Sequence, residues 1–163
     1  MMGTRSGDMD PAAVIRMIEL GSTPREIDNI LNKKSGLFGV GGIGTGDMRD
    51  MLAAADNGNE QAALAVKMFV RRIVKYIGSY YVLLNGPEAL VFTGGIGENN
   101  PQYRARVAEK LAFLGVKIDD EKNHVRGEEI EISTPDSPVK VFVIPTNEEL
   151  MIAKDTEELV KAL

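Results

Sequence analysis

The chain has 163 residues, 44% of them hydrophobic, with 19 Lys and Arg against 24 Asp and Glu, a single His and no Cys or Trp. A net charge of −5 gives no electrostatic footprint for nucleic acid, and the lack of Cys excludes disulfides and thiolate metal sites, as suits a reducing compartment. No apolar stretch is long enough to span a bilayer and nothing reads as a signal peptide, so one soluble, cytoplasmic domain with its own core is expected.

In chain order, Asp10 and Pro11 read as the N-cap and first residue of a helix with Val14, Ile15 and Ile18 on one face and Gly21 as its stop. Thr23 and Glu26 have capping-box spacing and open a second helix, whose stripe is Ile27, Ile30 and Leu31. Residues 36–47, GLFGVGGIGTGD, hold six glycines and keep no period. An ordered loop is expected there, because Leu37, Phe38, Val40 and Ile43 would be costly to leave in water. A helix from Met48 to Ala55 and the turn Asp56-Asn57-Gly58 precede the longest helix. Its stripe is Val66, Val70, Ile73, Val74, Ile77, Tyr81 and Leu84, and Lys67, Arg71, Arg72 and Lys75 form an opposite face that reads as solvated, with a phosphate contact as the alternative.

Residues 89–93, ALVFT, read as a short buried strand, and Asn100-Pro101 as the start of a helix that buries Val107, Leu111 and Leu114 and ends at Gly115. Between them lies GGIGEN. Glycine there allows positive φ and lets a ligand meet main chain without a Cβ in the way, and a strand-to-helix junction offers unpaired N–H groups to anions. A tight turn that binds nothing fits the same residues. Further strands are expected at 116–118, 129–132 and 139–144, with VKVFVI central, before PTNEEL enters a final helix. Four short strands for about six helices suggest membership of a larger sheet.

Several side chains carry possible chemistry. Arg5, in GTRSGDMDP, is either a solvated arginine or one whose fork of donors grips a phosphoryl group. Asp47 either caps the helix it opens or contacts a ligand. Thr146 and Glu149 have capping-box spacing, which leaves Glu148 at the end of a strand as a first-turn acid or an oxygen ligand for Mg²⁺ beside nucleotide phosphates. His124, in a charged loop without a visible partner, reads as solvated.

Taken together, GTRSGDMDP, NKKSG with its glycine-rich loop and DMRD, VFTGGIGENN, GVKIDDEKN and VIPTNEE resemble, in order, the C-terminal half of the acetate kinase family. The resemblance runs over residues 2–160 and links the chain to actin, hexokinase and the heat-shock ATPases. It implies an α/β, ribonuclease H-like (actin-like ATPase) C-terminal domain over residues 1–163, truncated, helix-rich and with a small mixed sheet. The activity it implies is Mg-dependent transfer between ATP and acetate, giving ADP and acetyl phosphate, in a homodimer without nucleic-acid or membrane partners.

By position, Arg5 is implied as the arginine that stabilises the phosphoryl group in flight, and Asp47, Met48 and Arg49 as the segment touching adenosine. Gly95, Ile96, Gly97, Glu98 and Asn99 are implied as the nucleotide loop, and Glu148 as the acid that helps hold Mg²⁺. Butyrate and propionate kinases share the architecture, while the motif wording favours acetate. The family's first half supplies an Mg-associated Asn, a catalytic Asp, a His and an acetate-binding Arg, so the segment alone is expected not to turn over at a normal rate. Two rivals stand beside this reading. One is a dinucleotide-binding oxidoreductase domain, drawn from Gly95-Ile96-Gly97 after a strand and Asp119 after the next, and opposed by Asn100 at the third glycine position. The other is a non-catalytic nucleotide-binding or assembly module that pairs through its helices.

Overall fold

Among the described residues, five helices begin where a side chain caps them, at Asp10, Thr23, Asp47, Asn59 and Asn147. In the computed structural model, which describes residues 1–162, the chain falls into two units, Met1–Gly86 and Pro87–Leu163. In the first, Asp10 accepts the Ala12 N–H at 2.9 Å and starts α1 (Pro11–Glu19). Thr23 and Glu26 form the full reciprocal box at the head of α2 (Pro24–Lys33), with the Glu26 carboxylate accepting the Thr23 N–H at 2.7 Å. The α1 stripe does not face a core, however: Ile15 and Ile18 are 58% and 55% exposed.

The glycine-rich stretch departs from expectation. Residues Gly36–Gly41 close into a short helix, α3, which packs on α5 (Glu60–Leu83). Burial of Leu37 overrides the poor intrinsic propensity of glycine. Together with α4 (Met48–Asp56), these helices enclose Leu37, Met48, Met51, Leu52, Val66 and Phe69. The apolar stripe of α5 continues to Leu84 in sequence, yet its last fully buried member is Val70, and Leu84 is exposed. Arg72 also leaves the solvated face assigned to it. Its guanidinium donates to the Asp8 carbonyl and pairs with the Asp8 carboxylate at 3.2 Å, which also accepts the Tyr76 hydroxyl.

The second unit is a three-stranded mixed sheet in the order β1 (Ala89–Phe92), β3 (Lys140–Val143), β2 (Ile130–Glu131). β1 runs parallel to β3 and β2 antiparallel to it. VKVFVI is central, as its β-branched content requires, with Val141 and Val143 fully buried. β1, expected to be buried, is an edge strand whose Val91 is 45% exposed. Residues 116–118 make single bridges instead of a strand, Val116 with Val139 and Ile118 with Ser133.

The glycines after β1 wind into α6 (Gly94–Asn99) instead of leaving a turn. α7 (Pro101–Leu111) starts at its proline and buries Tyr103, Arg104, Val107, Ala108 and Leu111, whereas Leu114 falls in a following 3₁₀ turn and is half-buried. α8 (Glu148–Lys161) is capped by Asn147, which accepts the Leu150 N–H at 3.0 Å, and not by Thr146 as the spacing suggested.

These contrasts can be measured. Leu37→Ala should cost the first unit about 2–5 kcal/mol in urea unfolding, whereas Ile18→Ala should stay within about 0.5 kcal/mol.

Candidate functional site

The candidate residues lie in both units, and each set is built by its own local rules. In the first, α3 has no side-chain N-cap. The Leu37 and Phe38 N–H groups donate instead to the carbonyls of Met2 and Gly3, both at 2.9 Å, so the Arg5 loop caps the helix with its own backbone. Ser6 N–H to Leu31 carbonyl and Ser35 N–H to Thr4 carbonyl, each 2.9 Å, fasten the loop to the end of α2. Gly36, at φ +61°, is pressed against the carbonyls of Met2, Gly3 and Arg5, where no Cβ fits. The backbone around Arg5 is thus committed and its side chain is not: Arg5 is exposed, and its guanidinium has no partner among the described residues.

Gly46 lies against the Gly3 carbonyl, which brings the start of α4 beside this loop. Asp47 is the N-cap of α4. Its carboxylate accepts the Arg49 N–H at 2.8 Å, and the Arg49 guanidinium grips both carboxylate oxygens. The hydrogen bonds from Arg49 hold the Asp47 carboxyl below its ordinary range and push the arginine up. Met48 is 1% exposed as a whole residue, so it belongs to the core and presents neither side chain nor main chain to solvent.

In the second unit, the register pairs Phe92 with Val143, so the parallel strands β1 and β3 end together. Their following segments are cross-bonded. The Glu98 carboxylate accepts the Thr146 N–H at 2.6 Å, and the Thr146 hydroxyl accepts the Gly94 N–H at 3.1 Å and lies 2.7 Å from the Thr93 hydroxyl. Thr146 is therefore occupied in bridging, which is why capping falls to the next residue. Gly94 has φ +70°, and beyond their chain neighbours and the backbone of α6 itself no described atom comes within 4 Å of where a Cβ on Gly94 or Gly95 would sit. Gly95 is exposed, Ile96, Glu98 and Asn99 are half-buried, and Gly97 packs on Phe92.

Four successive carbonyls of α6, Gly95 to Glu98, are each claimed by a side chain. Asn99 donates to Gly95 at 3.1 Å, Asn100 to Ile96 at 2.9 Å, and Arg104 Nη1 to Gly97 and Glu98 at 2.7 and 2.8 Å. Arg104 is fully buried, and burial pulls its pKa down to about 10. The sequence reading missed Arg104 and the bridging role of Thr146. For Arg104 the signal was present: it stands three, four and seven residues before Val107, Ala108 and Leu111, a charge set in an apolar stripe.

Glu148 opens α8, exposed and two residues after Thr146. Among the described residues no group of three or more His, Cys, Asp or Glu could hold a metal. One free carboxylate still suits Mg²⁺, which ordinarily takes one or two protein oxygens and completes its shell with phosphate and water. His124 is exposed and bonded to the Asp120 carbonyl at 2.7 Å, in keeping with a surface residue.

The sequence profile of the Acetokinase family matches residues 1–154. The chain is 54% identical over 161 residues to the acetate kinase of Methanosarcina thermophila, covering 98% of this chain and 39% of that protein. It is 53% identical to the acetate kinase of Dictyoglomus thermophilum, covering 98% and 40%. Among solved structures, the acetate kinase of Porphyromonas gingivalis superposes with a TM-score of 0.87 at 45% identity, over 98% of this chain and 40% of that one. A propionate kinase from Francisella tularensis gives 0.83 at 45% identity, over 93% and 38%. The chain thus spans about two fifths of the length of these relatives. The acetate kinases are actin-like ATPase folds, and this helix-rich chain with its small mixed sheet shares that fold.

The Asp47–Arg49 contact makes a pH prediction. Because the folded pKa of Asp47 lies below the ordinary 3.8, the contact stabilises α4 fully above that value and ceases to do so as pH falls through the depressed one. Carboxyl-carbon NMR should record the low midpoint, and Arg49→Ala should move it back toward the ordinary value.

Proposed function

The chain belongs to the Acetokinase family, and on that premise we propose that residues 1–163 are the nucleotide-binding portion of a phosphotransferase. Its reaction is transfer of the ATP γ-phosphoryl group to the carboxylate of acetate, giving ADP and acetyl phosphate. The observation that carries this reading is the shared C-terminal end of β1 and β3, from which an open glycine segment and the Glu148 segment emerge bonded to each other. Open α/β sheets hold their ligands beyond the carboxyl ends of parallel strands.

In this proposal the main chain of Gly95 to Asn99 lies against the nucleoside, with Gly95 open on the side where a Cβ would stand. Asp47, Met48 and Arg49 serve adenosine, Met48 as the buried anchor that holds the other two at the start of α4. Arg5 holds the phosphoryl group, for which an exposed guanidinium on a loop anchored by its carbonyls is well suited. Glu148 would help hold Mg²⁺, which supplies charge neutralisation to the phosphates. Phosphoryl transfer asks for such placed cations and for little covalent chemistry from the protein. The family's Asn, Asp, His and acetate-binding Arg, which the resemblance assigns to its first half, are not among these residues, so the 163 residues alone are proposed to bind nucleotide without normal turnover. Homodimer formation belongs to the same reading. A longer carboxylate is the second reading, favoured by the equal 45% identity to a propionate kinase and an acetate kinase of known structure.

The test is a titration with MgADP and, separately, with NAD⁺, followed by amide NMR. MgADP should shift Gly95, Ile96 and Gly97, and NAD⁺ should not. Binding of NAD⁺ in preference, or silence of those amides at saturating MgADP, would overturn the proposal. Where turnover is measurable, Arg5→Ala should lower kcat by about 10²–10³ with KM for ATP little changed.

A further inference from the structure

We propose that Arg104 is a positioning residue for the nucleotide: its buried guanidinium fixes the backbone of α6 in the shape that receives the nucleoside. The inference rests on the nucleotide reading above. α6 is six residues long, and three of them are glycine. A helix of that length and composition is not stable by itself, because nucleation is costly and glycine loses the most freedom on ordering. Its shape must come from outside.

Arg104 supplies it at the C-terminal end, where helix carbonyls lack partners. Nη1 takes the carbonyls of Gly97 and Glu98, Nε takes the Asn123 side-chain oxygen at 2.8 Å, and Nη2 takes the carbonyls of Asn123 and Val125. Asn123 in turn donates to the Pro101 carbonyl at 3.0 Å. One planar group therefore locks three stretches together: the end of α6, the start of α7 and the turn at 123–125. An ammonium, with its donors on a single nitrogen, cannot reproduce that fork.

The placement is costly. Arg104 is wholly buried, and among the described residues no carboxylate pairs with it; its acceptors are all carbonyl oxygens. Stability alone would be served by an apolar side chain such as the Val107 and Leu111 that share its stripe. A buried cation is retained where carbonyls of the glycine segment would otherwise be orphaned, and those carbonyls set how its opposite, open side is presented.

The experiment compares Arg104→Gln and Arg104→Lys with Val141→Ala, a core change in the same unit far along the sequence from the loop. Hydrogen exchange over residues 94–104 is read without ligand, and the MgADP Kd is read on folded protein well below each Tm. If the loop is competent about a tenth of the time in Arg104→Gln, Kd rises about tenfold. Exchange should then quicken selectively over 94–104, with Arg104→Lys between that variant and the wild type. Val141→Ala should lower Tm and leave both readouts unchanged. The inference is overturned if Arg104→Gln affects loop exchange and Kd no more than Val141→Ala does. A wild-type chain whose loop is protected and yet binds no MgADP overturns the nucleotide reading, and the role of Arg104 as a nucleotide-positioning residue falls with it.

Discussion

Two six-residue helices rich in glycine, α3 and α6, cannot hold themselves, and the structure depends on how their end groups are satisfied from elsewhere in the chain. α3 receives carbonyls at its N-terminal end from the Met2–Gly3 backbone. α6 receives side-chain donors at its C-terminal end from Asn99, Asn100 and Arg104. In each case the satisfaction of the helix also fixes a neighbouring segment: the Arg5 loop in the first unit, the glycine segment after β1 in the second. Secondary structure and site are here one accounting problem.

That accounting separates backbone from side chain in a consistent way. Around Arg5 the carbonyls of Met2 to Arg5 all accept hydrogen bonds and the guanidinium is left to solvent. At Gly95 the Cα face of the main chain is left open, and the side chains nearby, Glu98, Asn99 and Thr146, are consumed in bracing the segment. Glu148 follows the first pattern, a free carboxylate on a helix whose cap is supplied by the preceding residue. Preorganisation of this kind lets a polar ligand be met without rearrangement, which is where binding sites of charged substrates gain most.

Much of this was legible beforehand. Asp10, Thr23 with Glu26, and Pro101 mark helix starts that the structure keeps, because capping is local chemistry. The central strand was legible from VKVFVI for the same reason that it is buried. What could not be read were outcomes decided at long range. Propensity argues against α3 and α6, and the burial of Leu37 and the reach of Arg104 are among the tertiary contacts that reverse that. The cap of α8 moves by one residue because Thr146 is engaged by Gly94, 52 positions away. Arg72 leaves the solvated face because Asp8, 64 positions away, is beside it. Of the candidate site, the motifs were visible as patterns, and the roles of their residues came from the family resemblance.

The chemistry of the Arg104 acceptors has a consequence for the environments this segment tolerates. Carbonyl oxygens take up no proton in any physiological medium, and the guanidinium keeps its charge until alkalinity nears its lowered pKa of about 10. With no opposite charge to screen, dissolved ions have little to act on. Brine and dilute buffer, acidified and neutral media, should all meet the same brace under the glycines.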